Sequence, residues 1–162
     1  MESKSSKTII DARNLTRIYP LGDSEVIGIN TINLSIAAGE LVILKGNSGS
    51  GKSTLLSLLA GLDRPTRGEL TVADHDLTRA TPANLTHFRR EVVGMVFQAF
   101  NLMPTLNVLE NISLPGLLAG KKNAAVRSKA IELLDWLGLS RRWNHLPAQL
   151  SGGEMQRTAI AR

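Results

Sequence analysis

The sequence predicts an α/β fold that begins with antiparallel strands and ends with helices. Residues 9–15 and 27–36 alternate apolar and polar side chains and are rich in β-branched residues, which is typical of strands with one buried face. Residues 41–44 form a short apolar run that precedes a glycine-rich loop and a helical pattern. From Ala99 onward the spacing of apolar residues becomes helical.

The remaining elements of the first 98 residues follow from local signals. A buried strand is expected over residues 41–44 and a helix over residues 52–60, which Gly61 would cap. Residues 65–68 are expected to turn the chain into a strand over residues 69–73. The pair Thr81-Pro82 predicts a helix that runs toward Glu91, because proline fits the first helical turn. Residues 92–97 predict one more strand.

Helices are expected to dominate the rest of the chain. Apolar residues at helical spacing first occur at Leu106, Leu109 and Ile112. The clearest amphipathic helix covers residues 124–137 and would end at Gly138. Its apolar positions are Ile131, Leu134 and Leu137. Trp136 and Trp143 are predicted to be packing residues.

Composition limits the classes of protein to consider. A chain of 162 residues is long enough for one domain with a buried core, and the absence of Cys excludes disulfides and thiolate metal sites. The net charge of +5 does not indicate nucleic-acid binding, because few aromatic residues are available to stack on bases. The polar start and the short apolar runs predict no signal peptide and no membrane span, so a cytoplasmic location is expected.

Residues 46–54 read GNSGSGKST and carry the pattern of a phosphate-binding loop. Gly46, Gly49 and Gly51 let the backbone approach a ligand, so that consecutive N–H groups can surround anionic oxygens. A helix that starts at Lys52 adds the positive end of its dipole. Lys52 would contact the β- and γ-phosphates of a nucleotide, and the Ser53 hydroxyl would ligate Mg²⁺.

Residues 150–154 read LSGGE and form a second candidate anion site. Ser151, Gly152 and Gly153 are expected at a helix N-terminus, where backbone N–H groups lack helical partners. The loop at residues 46–54 lies about a hundred residues earlier in the chain. The sequence therefore supplies two sets of N–H groups suited to phosphate.

With LSGGE in the same chain as the phosphate-binding loop, the sequence resembles the ATP-binding cassette (ABC) ATPases. Tyr19 stands where that family has an aromatic residue that stacks on adenine, and Gln98 where it has the glutamine of the Q-loop. Residues 62–70 and 149–162 also resemble the cassette, and their sequences are similar to those of the branch that serves lipoprotein release and macrolide export. The resemblance covers Thr8 to Arg162.

The resemblance implies a P-loop NTPase (RecA-like) core with an N-terminal antiparallel β subdomain and an inserted helical subdomain, incomplete at the C-terminus. Residues 1–98 would form the β subdomain and the P-loop core. Residues 99–150 would form the helical subdomain, and residues 151–162 the signature helix. Together, residues 1–162 would make one partial ATP-binding domain.

The resemblance also implies roles for individual residues. Lys52 and Gln98 would act in catalysis, and Ser53 and Gln98 would contact Mg²⁺. The implied ATP contacts within one cassette are Tyr19, Gly46, Asn47, Ser48, Gly49, Ser50, Gly51, Lys52, Ser53 and Thr54. Ser151, Gly152 and Gly153 would contact the ATP of a partner subunit in a homodimer of cassettes. Transmembrane permease subunits would hold the dimer peripherally on the inner face of the cell membrane.

The resemblance predicts as well what residues 1–162 do not contain. The Walker B Asp, the Glu that acts as general base and the switch His follow the signature helix in the family, so this chain is expected to be truncated before them. Alternative interpretations are a non-catalytic nucleotide-binding fragment, a degenerate gene product, or a soluble ABC protein of repair or translation. The transported substrate cannot be read from a cassette sequence.

Overall fold

The structure is a computed structural model that describes residues 7–162 in two compact units. The first unit extends to Gly94, and the second comprises Met95–Arg162. The boundary expected from the sequence, after residue 98, and the assignment of subdomains on either side of it stay a proposal.

The first unit is built on a four-stranded antiparallel sheet in the order β2-β1-β3-β4. Gly22 lies in the tight turn between the first two strands and has a φ of 58°. The strands are β1 (Thr8–Leu21), β2 (Ser24–Ala37), β3 (Arg67–Val72) and β4 (His75–Asp76). The predicted alternating segments at residues 9–15 and 27–36 lie within β1 and β2, so both strand predictions are confirmed.

Two helices accompany this sheet. Helix α1 (Lys52–Leu59) follows the glycine-rich loop, and Gly61 ends it with a left-handed φ of 63°. Helix α2 (Pro82–Glu91) begins at the Thr81 N-cap, as predicted from the Thr-Pro pair. One buried cluster joins the helices and the sheet. It comprises Ala12, Leu15, Ile29, Leu55, Leu58, Leu70, Val72, Leu77, Ala80, Leu85 and Phe88.

The predicted strands at residues 41–44 and 92–97 do not form in the described structure. Leu41 and Ile43 are 92% and 71% exposed, so the prediction of a buried strand is wrong here. An apolar segment becomes a central strand only when neighbouring strands hydrogen-bond to it and both of its faces are covered. The strands described in residues 7–162 form their ladders among β1 to β4 alone, so these two segments have no ladder partner within that range.

The second unit is helical, as expected from Ala99 onward. Its longer helices are α3 (Val108–Leu118), α4 (Asn123–Trp136) and α5 (Gly152–Ala161), with short 3-10 turns at Ser140–Arg142 and Pro147–Gln149. The buried cluster of this unit comprises Val108, Leu109, Ile112, Ala130, Leu134, Leu139 and Leu150. None of the helices described in residues 7–162 has the length and apolarity that crossing a bilayer requires.

Helix α4 buries part of the predicted apolar face, together with smaller residues that the prediction did not name. Its buried residues are Val126, Ala130 and Leu134, which are spaced by four positions and form one stripe. Leu134 is buried and Leu137 packs against the same cluster, as predicted, but Ile131 is 44% exposed. Trp136 and Trp143 are 78% and 47% exposed, so the prediction that they are packing residues is wrong. The sequence analysis favoured large apolar residues, whereas the small Ala130 occupies the buried contact and the bulkier neighbours remain outside.

A buried asparagine organises the segment before α3. Asn111 is completely buried, and its side-chain amide donates to the carbonyls of Met103, Leu106 and Asn107 at 2.8–3.1 Å. Its Oδ1 accepts a bond from the Met103 N–H at 2.8 Å. One side chain therefore bonds the backbone of three residues and fixes the segment that leads into α3. The sequence analysis missed this residue, because its position in an apolar helical pattern gives no sign of its partners.

Candidate functional site

The glycine-rich loop leads directly into the N-terminus of α1. Gly49 and Gly51 adopt left-handed φ angles of 81° and 85°, and Gly51 is the N-cap of the helix. Within α1 and its cap, no side chain caps the first turn and no acidic residue lies there. The N–H groups of the first helical turn and the positive end of the helix dipole can therefore bind an anion at the loop.

The ammonium group of Lys52 lies inside the loop. Its Nζ donates to the carbonyl oxygens of Gly46 and Asn47 at 2.8 and 2.7 Å and to the Ser50 hydroxyl at 3.1 Å. The positive charge is thus held among the loop residues before any phosphate is bound. The same donors can turn to phosphate oxygens, which accept stronger hydrogen bonds from an ammonium group than carbonyls do, because both partners are then charged.

Gly51 fixes the loop against strand β2. A Cβ added to Gly51 would lie 2.3 Å from the carbonyl oxygen of Gly28 and 2.7 Å from Cγ2 of Ile29. Only glycine therefore allows the loop backbone to approach the strand this closely. The position of the loop relative to the sheet depends on this contact.

The residues around Ser53 fit a magnesium ion that is held together with a nucleotide. Ser53 is exposed at the second position of α1, beside the loop. Residues 7–162 contain no cluster of three or more His, Asp or Glu side chains that could hold a metal alone. Mg²⁺ commonly keeps several waters and binds through one or two protein ligands and the phosphates of a substrate, which suits a single hydroxyl.

Tyr19 lies close to the start of α1, and Gly28 of β2 lies between them. A Cβ at Gly28 would lie 2.7 Å from Cε2 of Tyr19 and 3.0 Å from Cγ2 of Thr54, so Gly28 separates the tyrosine ring from α1. Because the Gly28 carbonyl also touches Gly51, one glycine of β2 adjoins the aromatic ring, the helix and the loop. The structure therefore brings together Tyr19 and the predicted residues of the loop.

Gln98 lies in the second unit, in an exposed turn at residues 98–99. Two non-glycine residues in left-handed conformation follow it, Phe100 with φ 60° and Asn101 with φ 50°. The Asn101 carbonyl accepts a hydrogen bond from the Arg162 guanidinium at 2.6 Å. Such a conformation costs phenylalanine about 1–3 kcal/mol and asparagine less, and it persists only where the surrounding structure holds it. The role of Gln98 toward Mg²⁺ stays a prediction.

The second predicted anion site has the expected local structure. Ser151 is the N-cap of α5, and Gly152 and Gly153 are its first two residues. Nothing lies within 4 Å of a Cβ added at Gly152, so the glycine leaves open space at the start of the helix. The Ser151 side chain accepts a hydrogen bond from the Glu154 N–H, and the Glu154 carboxylate accepts one from the Ser151 N–H at 2.8 Å. This reciprocal pair fixes the helix start.

The sequence analysis missed the electrostatic partners of this helix start. Hydrogen bonds to Glu154 from the Ser151 backbone, the Arg142 guanidinium and the Ser151 hydroxyl lower the pKa of its carboxyl from 4.5 to about 2. The Arg142 Nε lies 2.8 Å from Oε1 of Glu154. The LSGGE pattern gives no indication that the partner of Glu154 is an arginine twelve positions earlier.

This lowered pKa predicts a dependence of stability on pH. Because the pKa of Glu154 is lower in the folded chain, its contribution is complete above its unfolded value and is lost as pH falls from about 5 to about 2. We expect Glu154→Gln to reduce the free energy of unfolding at about pH 6, and to reduce it less at about pH 3. Urea unfolding at the two pH values measures both differences.

Glu132→Gln is the matched control for this experiment, since Glu132 pairs with Lys129 on the surface of α4. Its effect on the free energy of unfolding should be small at both pH values, as for exposed ion pairs in general. An effect of Glu154→Gln that is equal at the two pH values would contradict the prediction.

Comparison with known proteins gives consistent matches over nearly the whole chain. The model of the family described as "ABC transporter" matches residues 29–162. The protein of Escherichia coli K12 named "Uncharacterized ABC transporter ATP-binding protein YbbA" is 45% identical over 157 residues, which are 97% of this chain and 69% of YbbA. The macrolide export ATP-binding/permease protein MacB of Hyphomonas neptunium is 44% identical over 154 residues, which are 95% of this chain and 24% of MacB.

A solved structure supports the same relation. A dimeric structure of the ATP-binding cassette MJ0796, in a post-hydrolysis state bound to ADP and Pi, is 40% identical in sequence and superposes with a TM-score of 0.86. The match covers 94% of this chain and 67% of MJ0796. The chain thus spans about a quarter of MacB, and about two thirds of YbbA and of MJ0796.

Proposed function

The chain belongs to the ABC transporter family, and from this membership we propose that residues 1–162 form the ATP-binding part of a cassette whose ATP hydrolysis drives transport by separate membrane subunits. Membership and the likeness to MJ0796 confirm the predicted fold class, an α/β nucleotide-binding cassette with an N-terminal antiparallel sheet. The names of MacB relatives agree with the branch that the resemblance indicated. Export as the direction of transport is part of the proposal.

The observation that carries this proposal is the arrangement of Lys52 in the loop. Its ammonium group lies among the loop carbonyls, at the N-terminus of a helix whose first N–H groups have no side-chain cap. A polyphosphate would accept hydrogen bonds from both the backbone and the ammonium group. Phosphoryl transfer depends mainly on such positioning and charge stabilisation.

The bound group would be Mg-ATP. The loop residues that would contact its phosphates are Gly46, Asn47, Ser48, Gly49, Ser50, Gly51, Lys52, Ser53 and Thr54. Ser53 would ligate Mg²⁺ with its hydroxyl, Gln98 would complete the ion's surroundings, and Tyr19 would stack on adenine. When bound, Mg²⁺ neutralises charge that develops on the phosphates during transfer.

The signature helix would serve a second cassette. Ser151, Gly152 and Gly153 would close on the γ-phosphate of ATP held by the partner, so that two cassettes enclose two ATP molecules. The open helix start at Gly152 supports this role, and the MJ0796 cassette is described as dimeric. Permease subunits would hold the pair at the inner face of the membrane, where closure and release would shift them between two states.

Residues 1–162 are proposed to bind nucleotide and not to turn it over alone. The family resemblance puts the Walker B Asp and the general-base Glu in motifs that do not occur in this stretch. We therefore expect negligible ATP hydrolysis by these residues and turnover by a polypeptide that also carries those motifs. Turnover by residues 1–162 that Lys52→Ala abolishes would contradict this expectation.

Competition between ATP and AMP tests the proposed function. A fluorescent ATP analogue is bound to the protein in the presence of Mg²⁺ and displaced by each nucleotide in turn. ATP should compete about 100-fold or more better than AMP, because AMP lacks the phosphates that Lys52 and the loop amides would contact and each charged hydrogen bond contributes about 1.5–3 kcal/mol. Equal competition by the two nucleotides would show that the loop does not bind a polyphosphate.

A further inference from the structure

Two charged residues, Arg17 and Asp63, contact Tyr19 and have no part in the function described above. The Tyr19 hydroxyl donates a hydrogen bond to Oδ2 of Asp63 at 2.8 Å. The Arg17 guanidinium bonds the same carboxylate at 2.8 Å and lies over the tyrosine ring, 4.4 Å from its centroid. Arg17 and Asp63 are only 24% and 23% exposed in their side chains, so solvent competes weakly for these bonds.

Asp63 links the tyrosine to the helix that carries the phosphate-binding loop. The N–H groups of Leu62 and Asp63 both donate to the carbonyl of Ser57, in the last turns of α1. The carboxylate of Asp63 is therefore held at the C-terminal end of this helix, and the loop lies at its N-terminal end. A rigid helix thus fixes the Tyr19 hydroxyl relative to the phosphate-binding loop.

Because Arg17 lies over one face of the Tyr19 ring, a flat ligand would have to stack on the other face. A guanidinium 4.4 Å from the centroid occupies one face of Tyr19. The cation also draws on the electron density of the ring, which favours stacking of an electron-rich base on the opposite face. Gly28 lets the ring lie close to Thr54 of α1, since any Cβ there would come within 2.7 Å of Tyr19.

We propose that Asp63 and Arg17 are positioning residues that hold Tyr19 as a one-sided platform for the purine base of the bound nucleotide. This inference rests on the proposed nucleotide-binding function and extends it to two residues to which the resemblance assigns no role. Tyr19 alone touches the base, and Asp63 and Arg17 act through it. Their contribution is therefore specific to the base and independent of the phosphates.

The charge state of the pair agrees with this arrangement. Partial burial by itself would raise the pKa of Asp63, but hydrogen bonds from Tyr19, from the Arg64 N–H and from Arg17 lower that pKa below its ordinary value. Burial would likewise lower the pKa of Arg17, and the bonds to Tyr19 and Asp63 raise it instead. Both groups are thus charged at neutral pH, as a fixed platform requires.

The test compares a ligand that carries a purine base with a ligand that lacks it. Binding of Mg-ATP and of Mg-tripolyphosphate is measured by calorimetry for the wild type, Asp63→Ala and Tyr19→Phe, with Tyr19→Ala as reference. We expect Asp63→Ala and Tyr19→Phe each to weaken ATP binding about fivefold, the scale of one aromatic contact, and to leave tripolyphosphate binding unchanged. Tyr19→Phe keeps the ring and removes the hydroxyl that bonds Asp63, so it remains informative if Asp63→Ala folds poorly.

A matched control removes a carboxylate of β1, the strand that carries Tyr19. Asp11 pairs with Arg13 on β1, away from Tyr19, and Asp11→Ala should leave the affinities for both ligands unchanged. The inference is overturned if both variants bind ATP normally while Tyr19→Ala does not, and in that case the nucleotide-binding function still stands. Equal weakening of ATP and tripolyphosphate would also overturn it, because Asp63 would then support the phosphate loop. No effect of Tyr19→Ala would instead remove Tyr19 from the proposed nucleotide site.

Discussion

Lys52→Met is expected to weaken Mg-ATP binding by about 100-fold or more. The loss corresponds to two charge-assisted hydrogen bonds to the β- and γ-phosphates, each contributing about 1.5–3 kcal/mol. Methionine keeps most of the length and apolar volume of the lysine stem, so the change removes mainly the charge and the donors. Calorimetric titration of both proteins with Mg-ATP measures the difference in affinity.

Lys52→Met should change the affinity for ATP much more than the free energy of unfolding, because the hydrogen bonds that Lys52 makes in the wild type go to exposed residues. Lys52 donates to the carbonyls of Gly46 and Asn47, and both residues are exposed. Water can replace those bonds, so we expect a change of only about 1 kcal/mol in the free energy of unfolding.

Lys45→Met is the matched control, since Lys45 is exposed one residue before the loop and carries the same charge. A similar loss of ATP affinity in both variants would mean that net charge, and not the position of Lys52 inside the loop, determines binding. Binding by Lys52→Met with the affinity of the wild type would contradict the proposed site itself.

The elements that could be predicted from the sequence are those with local causes. The Thr81 cap, the start of α1 at Lys52 and the Ser151 cap all follow from residue types at fixed offsets, and the structure has each at its expected position. The antiparallel hairpin follows from alternation over residues 9–15 and 27–36, and the structure extends the two strands to Thr8–Leu21 and Ser24–Ala37.

The elements that could not be predicted depend on partners distant in sequence. An apolar run such as residues 41–44 indicates a central strand, yet strand formation requires adjacent strands that residues 7–162 do not provide in the described structure. Likewise, Arg17, Asp63 and Tyr19 come together through a contact that spans more than forty residues. Their spacing shows no pattern that would connect them before the fold is known.

Gly51→Ala is expected to cause the largest loss of stability among substitutions in the loop, more than about 3 kcal/mol in the free energy of unfolding. A left-handed φ costs an alanine about 1–2 kcal/mol, and Gly51 has a φ of 85°. In addition, the new Cβ would lie 2.3 Å from the Gly28 carbonyl oxygen, which is backbone and cannot rotate away. Urea unfolding of the purified variant measures the loss.

Gly49→Ala separates the conformational cost of the left-handed φ from the steric contact with Gly28. Gly49 has nearly the same φ, 81°, but nothing lies within 4 Å of an added Cβ, so only the conformational cost of about 1–2 kcal/mol applies. The difference between the two variants therefore measures the contact with β2. If both lose the same stability, Gly51 does not anchor the loop to the strand. If Gly51→Ala loses more, the strain acts on Gly28, which also adjoins Tyr19, and ATP binding should weaken even where the variant remains folded.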